Sequence, residues 1–432
     1  MIDAISEIPK ILKKFRKRVR TKARELYAKS KRYWTAATVV VVTGSSGKTT
    51  TVALLKHILS GEAQVLSQAL SNGYTQAVRA LSALEPSDRY AVIEQGTEAP
   101  GQLARAANLL RPDVAIVTLV AMEHYASFRS IDAVAKEKAA FVEKLPNDGL
   151  AILNFDDPRT RAMSGLTRAR SVSFGTTGGE YKVTNISECS DAYLSFTLTS
   201  ADLSLPVRTK LLGKYNWLSV AAAATCALEL GVSPQNIAAR IASFAPIRGR
   251  MSMHRLDGGI RMILDTAKAP FHSIYLPLET LSTIRASRKR FVMGQISDYS
   301  GNATRKYKDT YAAAAQVADE VCFVGPWSHK ARAPAEDVES GKFRAFSTVQ
   351  ALSSYLRETA VDGEVVVVKS SRNLHLERLL LDRTEGVRCW ANECGSKLSC
   401  STCGLYGTAF YEHNGRNEHR GRVAQPRSEV ID

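Results

Sequence analysis

One stretch limits the fold more than any other: Val39-Val-Val-Val-Thr-Gly-Ser-Ser-Gly-Lys-Thr-Thr-Thr-Val-Ala-Leu-Leu-Lys-His-Ile-Leu59. Four β-branched residues in a row read as a strand buried on both faces, Gly44 to Gly47 as a tight turn, and Thr49 onward as a helix with apolar residues at helical spacing. A strand, a glycine turn and a helix start make a cradle for phosphate. The backbone N–H groups of Gly44, Ser45, Ser46 and Gly47 can close on an anion, Lys48 can reach terminal phosphates, and Thr49 or Thr50 can offer a hydroxyl to Mg²⁺. Val42 stands where the longer Walker loop has its first glycine, so the match is to a shorter loop.

Beyond this stretch the chain alternates strand-like and helix-like segments, which implies an α/β protein with a parallel sheet. Arg89-Tyr-Ala-Val-Ile-Glu94 is a strand ending on a carboxylate, and Val114–Thr118 is a strand leading to His124. A helix is expected over Ile131 to Leu145, and a further strand at Gly149 to Asn154 runs into Asp156-Asp157. Ligands bind beyond the carboxyl ends of parallel strands, so Glu94, His124 and Asn154 are candidates to converge on the phosphate loop. Tyr181 to Pro206 reads as a small antiparallel excursion, and Val220 to Leu230 as an alanine-rich helix. A second α/β unit follows, with strands at 261–264, 290–293, 320–324 and 364–368.

The formal net charge is +16, from 58 basic and 42 acidic residues, and much of it is local. Residues 1–34 carry twelve Lys and Arg against Asp3, Glu7 and Glu25. Ile2, Ile5, Ile8, Leu12, Phe15, Val19, Ala23 and Leu26 recur every three or four residues, so a helix gathers them on one face; Pro9 is expected to break it early. Such a helix suits an anionic membrane surface or a docking site on the protein's own body, with nucleic acid a weaker reading. No apolar run approaches the roughly 18 residues that span a bilayer, and no secretory leader is evident. A cytoplasmic protein is expected, peripheral on the inner membrane face if the helix binds lipid.

Eight motifs in order resemble the Mur ligase family of ATP-dependent amide-bond-forming enzymes, and within it the branch that adds D-alanyl-D-alanine to a cell-wall precursor. Thr43-Gly-Ser-Ser-Gly-Lys-Thr-Thr is similar to the family's ATP loop, and Glu94-Gln-Gly to its Glu-x-Gly element. Thr118 to His124 resembles a Thr-Asn-x(4)-His segment, with Leu119 in place of asparagine. Lys138 matches the position of a carbamylated lysine, spaced between His124 and Asn154. Gly213-Lys-Tyr-Asn216, Arg248-Gly-Arg250-Met251, Asp265-Thr-Ala-Lys-Ala-Pro270 and Val368-Lys-Ser-Ser-Arg372 resemble the remaining four.

The resemblance covers about residues 38–385 and implies a central ATP-binding domain at 35–248 and a C-terminal Rossmann-like domain at 249–385, between the basic helix at 1–34 and a cysteine-rich tail at 386–432. It further implies ATP and two Mg²⁺ ions, one at Thr49 and one at Glu94 and His124 with a carbamylated Lys138. Lys48 and Arg250 would clamp phosphates, Asn216 would contact adenine, and Asp265 with Lys268 would hold the nucleotide from the second domain. Lys369, Ser371 and Arg372 would face the amine substrate. The reaction implied joins an acidic substrate to an amine through an acyl phosphate, in cell-wall or cell-surface polymer metabolism.

Three departures leave the substrates open. About 38 residues precede the loop, too few for the UDP-sugar-binding domain of the peptidoglycan enzymes; Ser219 replaces a second asparagine; and Gly294-Gln295 stands where Gly-Asp is usual. Alternatives are an amidating subunit fed by a glutaminase partner, and a non-catalytic nucleotide-dependent protein that binds membrane or nucleic acid. Cys389-x(4)-Cys394-x(5)-Cys400-x(2)-Cys403 can close a tetrahedral structural Zn²⁺ site, with an iron–sulfur cluster or free thiols as alternatives.

Overall fold

The computed structural model describes residues 2–123, 127–188, 193–396 and 398–413, with backbone alone for 2–15 and 17. Contacts divide the chain into two units: 1–186 with 195–209 and 216–244, and 187–194 with 210–215 and 245–432. The chain thus passes from one unit to the other five times.

In the first unit, helix α1 (Ile2–Trp34) runs through Pro9 without a break. One proline removes a single i→i−4 bond, and the later turns are fixed by docking instead. Ala28 is fully buried. Lys31 Nζ donates to Leu84 O at 2.8 Å, and the Arg32 guanidinium donates to Leu110 O at 2.7 Å, Arg111 O at 2.6 Å and Asp113 Oδ1 at 2.8 Å. The strands are β1 (Thr38–Thr43), β2 (Val65–Gln68), β3 (Tyr90–Glu94), β4 (Val114–Val117), β5 (Leu150–Asn154), β6 (Arg170–Gly175), β7 (Tyr181–Glu188), β8 (Tyr193–Ser200) and β9 (Leu203–Leu212). They form one sheet in the order β2-β3-β1-β4-β5-β6-β7-β8-β9, parallel from β2 through to β7. The segment expected as a small antiparallel excursion joins the main sheet, through a parallel pairing of β7 with β6. The helices that position the site are α2 (Lys48–Leu59), α3 (Tyr74–Ala83), α4 (Gln102–Leu110), α5 (Ile131–Ala139), α6 (Pro158–Ala162) and α7 (Trp217–Glu229). Helix α5 ends six residues before the expected Leu145, which puts Lys138 in its last turn.

In the second unit, β10 (Ser252–Arg255), β11 (Arg261–Asp265), β12 (Lys289–Met293), β13 (Glu320–Val324), β14 (Phe343–Phe346) and β15 (Val365–Lys369) are ordered β10-β11-β15-β12-β13-β14. All neighbouring pairs are parallel except β10 with β11. Alternate residues serve two cores, as the strand period of two requires. Ile263, Phe291, Phe323 and Val367 lie in one, and Leu264, Val292, Cys322 and Val368 in the other. At one end of the sheet Arg290, fully buried, pairs through Nε with Glu320 at 3.0 Å and Glu364 at 3.5 Å, and Arg288 joins Glu364 at 2.5 Å.

Candidate active site

The loop between β1 and α2 takes the shape that the glycines predict. Gly44 and Gly47 have φ of +142° and +80°, in the region that favours glycine, and a Cβ on Gly44 would lie 2.0 Å from Thr118 Oγ1. Both positions therefore exclude side chains. Thr118 Oγ1 donates to Ser46 O at 2.6 Å, and Ser45 N donates to Leu119 O at 2.7 Å. Position 119 thus holds the loop through its backbone, a contact that leucine makes as well as asparagine. Ser219, the other departure, is buried on α7 and donates its hydroxyl to Gly47 O at 3.2 Å.

At the N-terminus of α2, Lys48 Nζ folds back on Gly44 O at 2.5 Å, and Thr49 Oγ1 donates to Glu94 Oε2 at 2.9 Å. Glu94 ends β3, which pairs directly with β1, and this register brings the carboxylate to the loop. It also accepts from Leu70 N at 2.9 Å and Asn72 Nδ2 at 3.0 Å, so its orientation is fixed. A hydroxyl and a carboxylate side by side are hard oxygen donors, which fit Mg²⁺.

Lys138 is fully buried and pairs with Glu123. Burial lowers its pKa from 10.5 to about 8; the neighbouring Glu123 opposes the shift and Lys48 adds to it. Lys138 and Lys48 thus share one electrostatic environment. Glu123 is a residue that sequence reasoning passed over. Its signal was its place just before His124, which lies outside the described residues. Glu137, beside Lys138, instead accepts from Gly101 N and Leu103 N, both at 2.7 Å, at the start of α4. Asn154 accepts from Asp156 N in the turn after β5, and Asp157 Oδ2 accepts from Val120 N at 2.6 Å, so Asp157 braces the loop that follows β4. Asn216 is buried at the start of α7.

In the second unit, the carboxyl ends of β11, β15 and β12 are adjacent, and Lys369 Nζ meets Asp265 Oδ2 at 2.6 Å there. Ser371 N donates to Gln295 O at 2.8 Å, and Asn373 Nδ2 reaches Gln295 Oε1 at 3.3 Å. Burial lowers the pKa of Arg372, opposed by Glu377 and aided by Arg250, so the two guanidinium groups are neighbours. Arg250 Nε is buried with no hydrogen-bond partner among the described residues. Two crowded cations, one with an unanswered donor, suit a phosphate. Lys268 is exposed on the loop after β11. Cys389, Cys394, Cys400 and Cys403 line one cavity together with His375 and His413.

Comparison with known proteins decides between the readings of this geometry. Residues 42–227 match the Mur ligase middle domain, and residues 249–372 match the Mur ligase glutamate ligase domain. This chain belongs to the Mur ligase family. The UDP-N-acetylmuramoyl-tripeptide–D-alanyl-D-alanine ligase of Escherichia coli is 29% identical over 360 residues, covering 82% of this chain and 78% of that protein. The Mycobacterium tuberculosis counterpart is 29% identical over 279 residues, which is 62% of this chain and 54% of that protein. A crystal structure of MurF from Acinetobacter baumannii superposes with a TM-score of 0.77 at 26% identity, covering 84% of this chain and 80% of that one. MurF from Thermotoga maritima, solved with ADP, shares the fold at 22% identity with a TM-score of 0.71.

The protein is thus an ATP-dependent amide-bond ligase of cell-wall metabolism, a Mur ligase acting on a carboxylate and an amine. No helix among the described residues is long and apolar enough to cross a membrane.

Proposed function

We propose that this Mur ligase activates an acid as its acyl phosphate at the loop of the first unit, with Lys138 as a carbamate, and that it works at an anionic membrane surface. The observation that carries the first part is the fully buried Lys138, paired with Glu123 and, through burial and the nearby Lys48, with a lowered pKa of about 8. A carboxylate oxygen of the acid attacks the γ-phosphorus of ATP, and the bond to the β–γ bridging oxygen breaks to release ADP. The amine nitrogen then attacks the acyl carbon; phosphate leaves, the nitrogen gives up a proton, and an amide remains.

Mg²⁺ held by Thr49, and a second ion near Glu94 and the Lys138 carbamate, would neutralise the phosphoryl oxygens as they crowd together. Lys48, freed from Gly44 O when triphosphate enters, orients the terminal phosphates. Arg250 and Arg372 supply cationic donors, Asp265 with Lys369 and Lys268 supports the nucleotide side of the second unit, and Ser371 lies on the amine side. Asn216 is assigned to the adenine.

The membrane part rests on α1. Val19, Leu26, Tyr27, Tyr33 and Trp34 are exposed among Arg16, Arg18, Arg20, Lys22 and Arg24, a mixture of aromatic and basic groups that suits a lipid interface. Phosphate release measured over a panel of acids, with D-amino-acid dipeptides, single amino acids and ammonium as amines, tests the ligase reading. Dependence on a particular acid–amine pair, lost in Lys48→Ala and Lys138→Ala, supports it. Basal hydrolysis alone, equal in both variants, refutes it. Ammonium as the preferred amine identifies an amidating enzyme.

A further inference from the structure

The cysteine-rich tail packs on the segment that follows β15, and the contacts there single out a residue that lies outside the tail. His375 is buried to 2% and holds a left-handed backbone with φ +51°, which a non-glycine residue adopts at a cost. Its two ring nitrogens are both engaged. Nδ1 lies 3.2 Å from Glu377 Oε1, and Nε2 lies 3.2 Å from Cys394 Sγ. Glu377 Oε1 in turn accepts from Cys400 N at 2.9 Å. One ligand atom from each of His375, Glu377 and Cys400 falls within 4.8 Å of the others. Arg378, also buried, ties the two segments together by donating to His375 O at 3.2 Å and Cys389 O at 2.8 Å.

This is the pattern of a metal-binding imidazole oriented by a carboxylate: one nitrogen turned toward a thiol with which it could share an ion, the other held by an acid that fixes ring orientation and tautomer. Donors on one tetrahedral Zn²⁺, with bonds of about 2.0 Å to nitrogen and about 2.3 Å to sulfur, lie about 3.6 Å apart. The separation of His375 Nε2 from Cys394 Sγ is close to that. Thiolates with one imidazole select zinc over harder ions. Four cysteines, His375 and His413 line the same cavity, two possible donors more than a tetrahedral ion needs, and His413 Nε2 faces Leu405 O and Thr408 O at 3.2 and 3.0 Å.

We propose that the tail closes a structural site of the zinc class in which His375 Nε2 is a ligand beside three tail thiolates, Cys394 and Cys400 among them, with Glu377 holding the ring through Nδ1. Binding deprotonates the thiols, and those protons pass to solvent. The site pins the tail to the chain just past Ser371 and Arg372. The proposal goes beyond the ligase reading and does not depend on it.

The test uses the full chain, stripped with a chelator and titrated with Co²⁺ and then Zn²⁺. One equivalent of Co²⁺ should bind with thiolate charge-transfer intensity of three sulfurs and the d–d envelope of an S₃N set. His375→Cys should move that envelope to the S₄ form. Glu377→Gln should keep the envelope and weaken Zn²⁺ binding by roughly 10–100-fold. A four-sulfur spectrum in the wild-type protein, or no stoichiometric binding at all, overturns the assignment. The wild-type spectrum decides this even if a variant fails to fold, and ligase activity enters no arm of the experiment.

Discussion

Lys138 offers the sharpest test of the first unit's chemistry, because its ionisation can be followed apart from catalysis. With the pKa lowered from 10.5 to about 8, the neutral fraction at pH 7 rises about 300-fold over that of an ordinary lysine, to roughly one in ten. Only the neutral amine adds CO₂, so ¹³C-bicarbonate should give one carbamate resonance in the wild-type protein with ATP and Mg²⁺, and none in Lys138→Arg. The same shift is a stability statement. Between pH 8 and 10.5 the unfolded lysine stays protonated while the folded one has lost its proton. The unfolded state therefore binds more protons, and stability rises with pH through that window. The full rise is about 3 kcal/mol. In CO₂-free buffer, urea unfolding of wild-type protein should show this gain relative to Lys138→Met. Parallel curves for the two proteins, together with no labelled carbonyl, would refute the argument from burial.

Further outcomes follow from single contacts. Glu94→Gln keeps the hydrogen bond to Thr49 but removes the charge, and should lower kcat by about 100-fold with little change in thermal stability. Gly44→Ala forces a Cβ to 2.0 Å from Thr118 Oγ1, so nucleotide binding measured by calorimetry should disappear; Thr118→Ala on the same background should restore part of it. Glu364→Ala removes the carboxylate that pairs Arg288 and one of the two that face the buried Arg290, with Glu320 left in place, a loss of about 3 kcal/mol that should lower the melting temperature by roughly 10 °C. Deleting residues 2–24 removes most of the exposed basic turns but spares the docked Ala28, Lys31 and Arg32. The shortened protein should stay folded by circular dichroism and lose sedimentation with anionic vesicles; unchanged sedimentation refutes the membrane proposal.

The first unit was legible where sequence and chemistry share one signal. A run of four valines ahead of a glycine favours a buried strand, and glycines flanking Ser45-Ser46 favour a turn, so the loop, Glu94 and the first sheet's inner strands could be read directly. Short strands without an alternating pattern were not legible: β2, β10 and β14 span four residues each. Glu123 and His375 escaped for a different reason. Each gains its role from a partner distant in sequence, Lys138 in one case and Cys394 in the other; the local mark on Glu123 is its place before His124, and His375 carries none. The departures at Leu119 and Ser219 looked like losses in the sequence. In the structure the first acts through its carbonyl, and the second finds a new acceptor in Gly47.

The interleaving of the two units has a practical consequence. Residues 187–194 and 210–215 belong with the second unit while lying between stretches of the first. Leu212, Tyr193 and Tyr215 take part in the second unit's own core. No single scissile point separates this polypeptide into two intact halves, because a fragment ending near residue 245 keeps three side chains whose apolar company has been cut away. Limited proteolysis or gene splitting at that site should yield insoluble pieces, and a working split enzyme would have to be cut inside one unit instead.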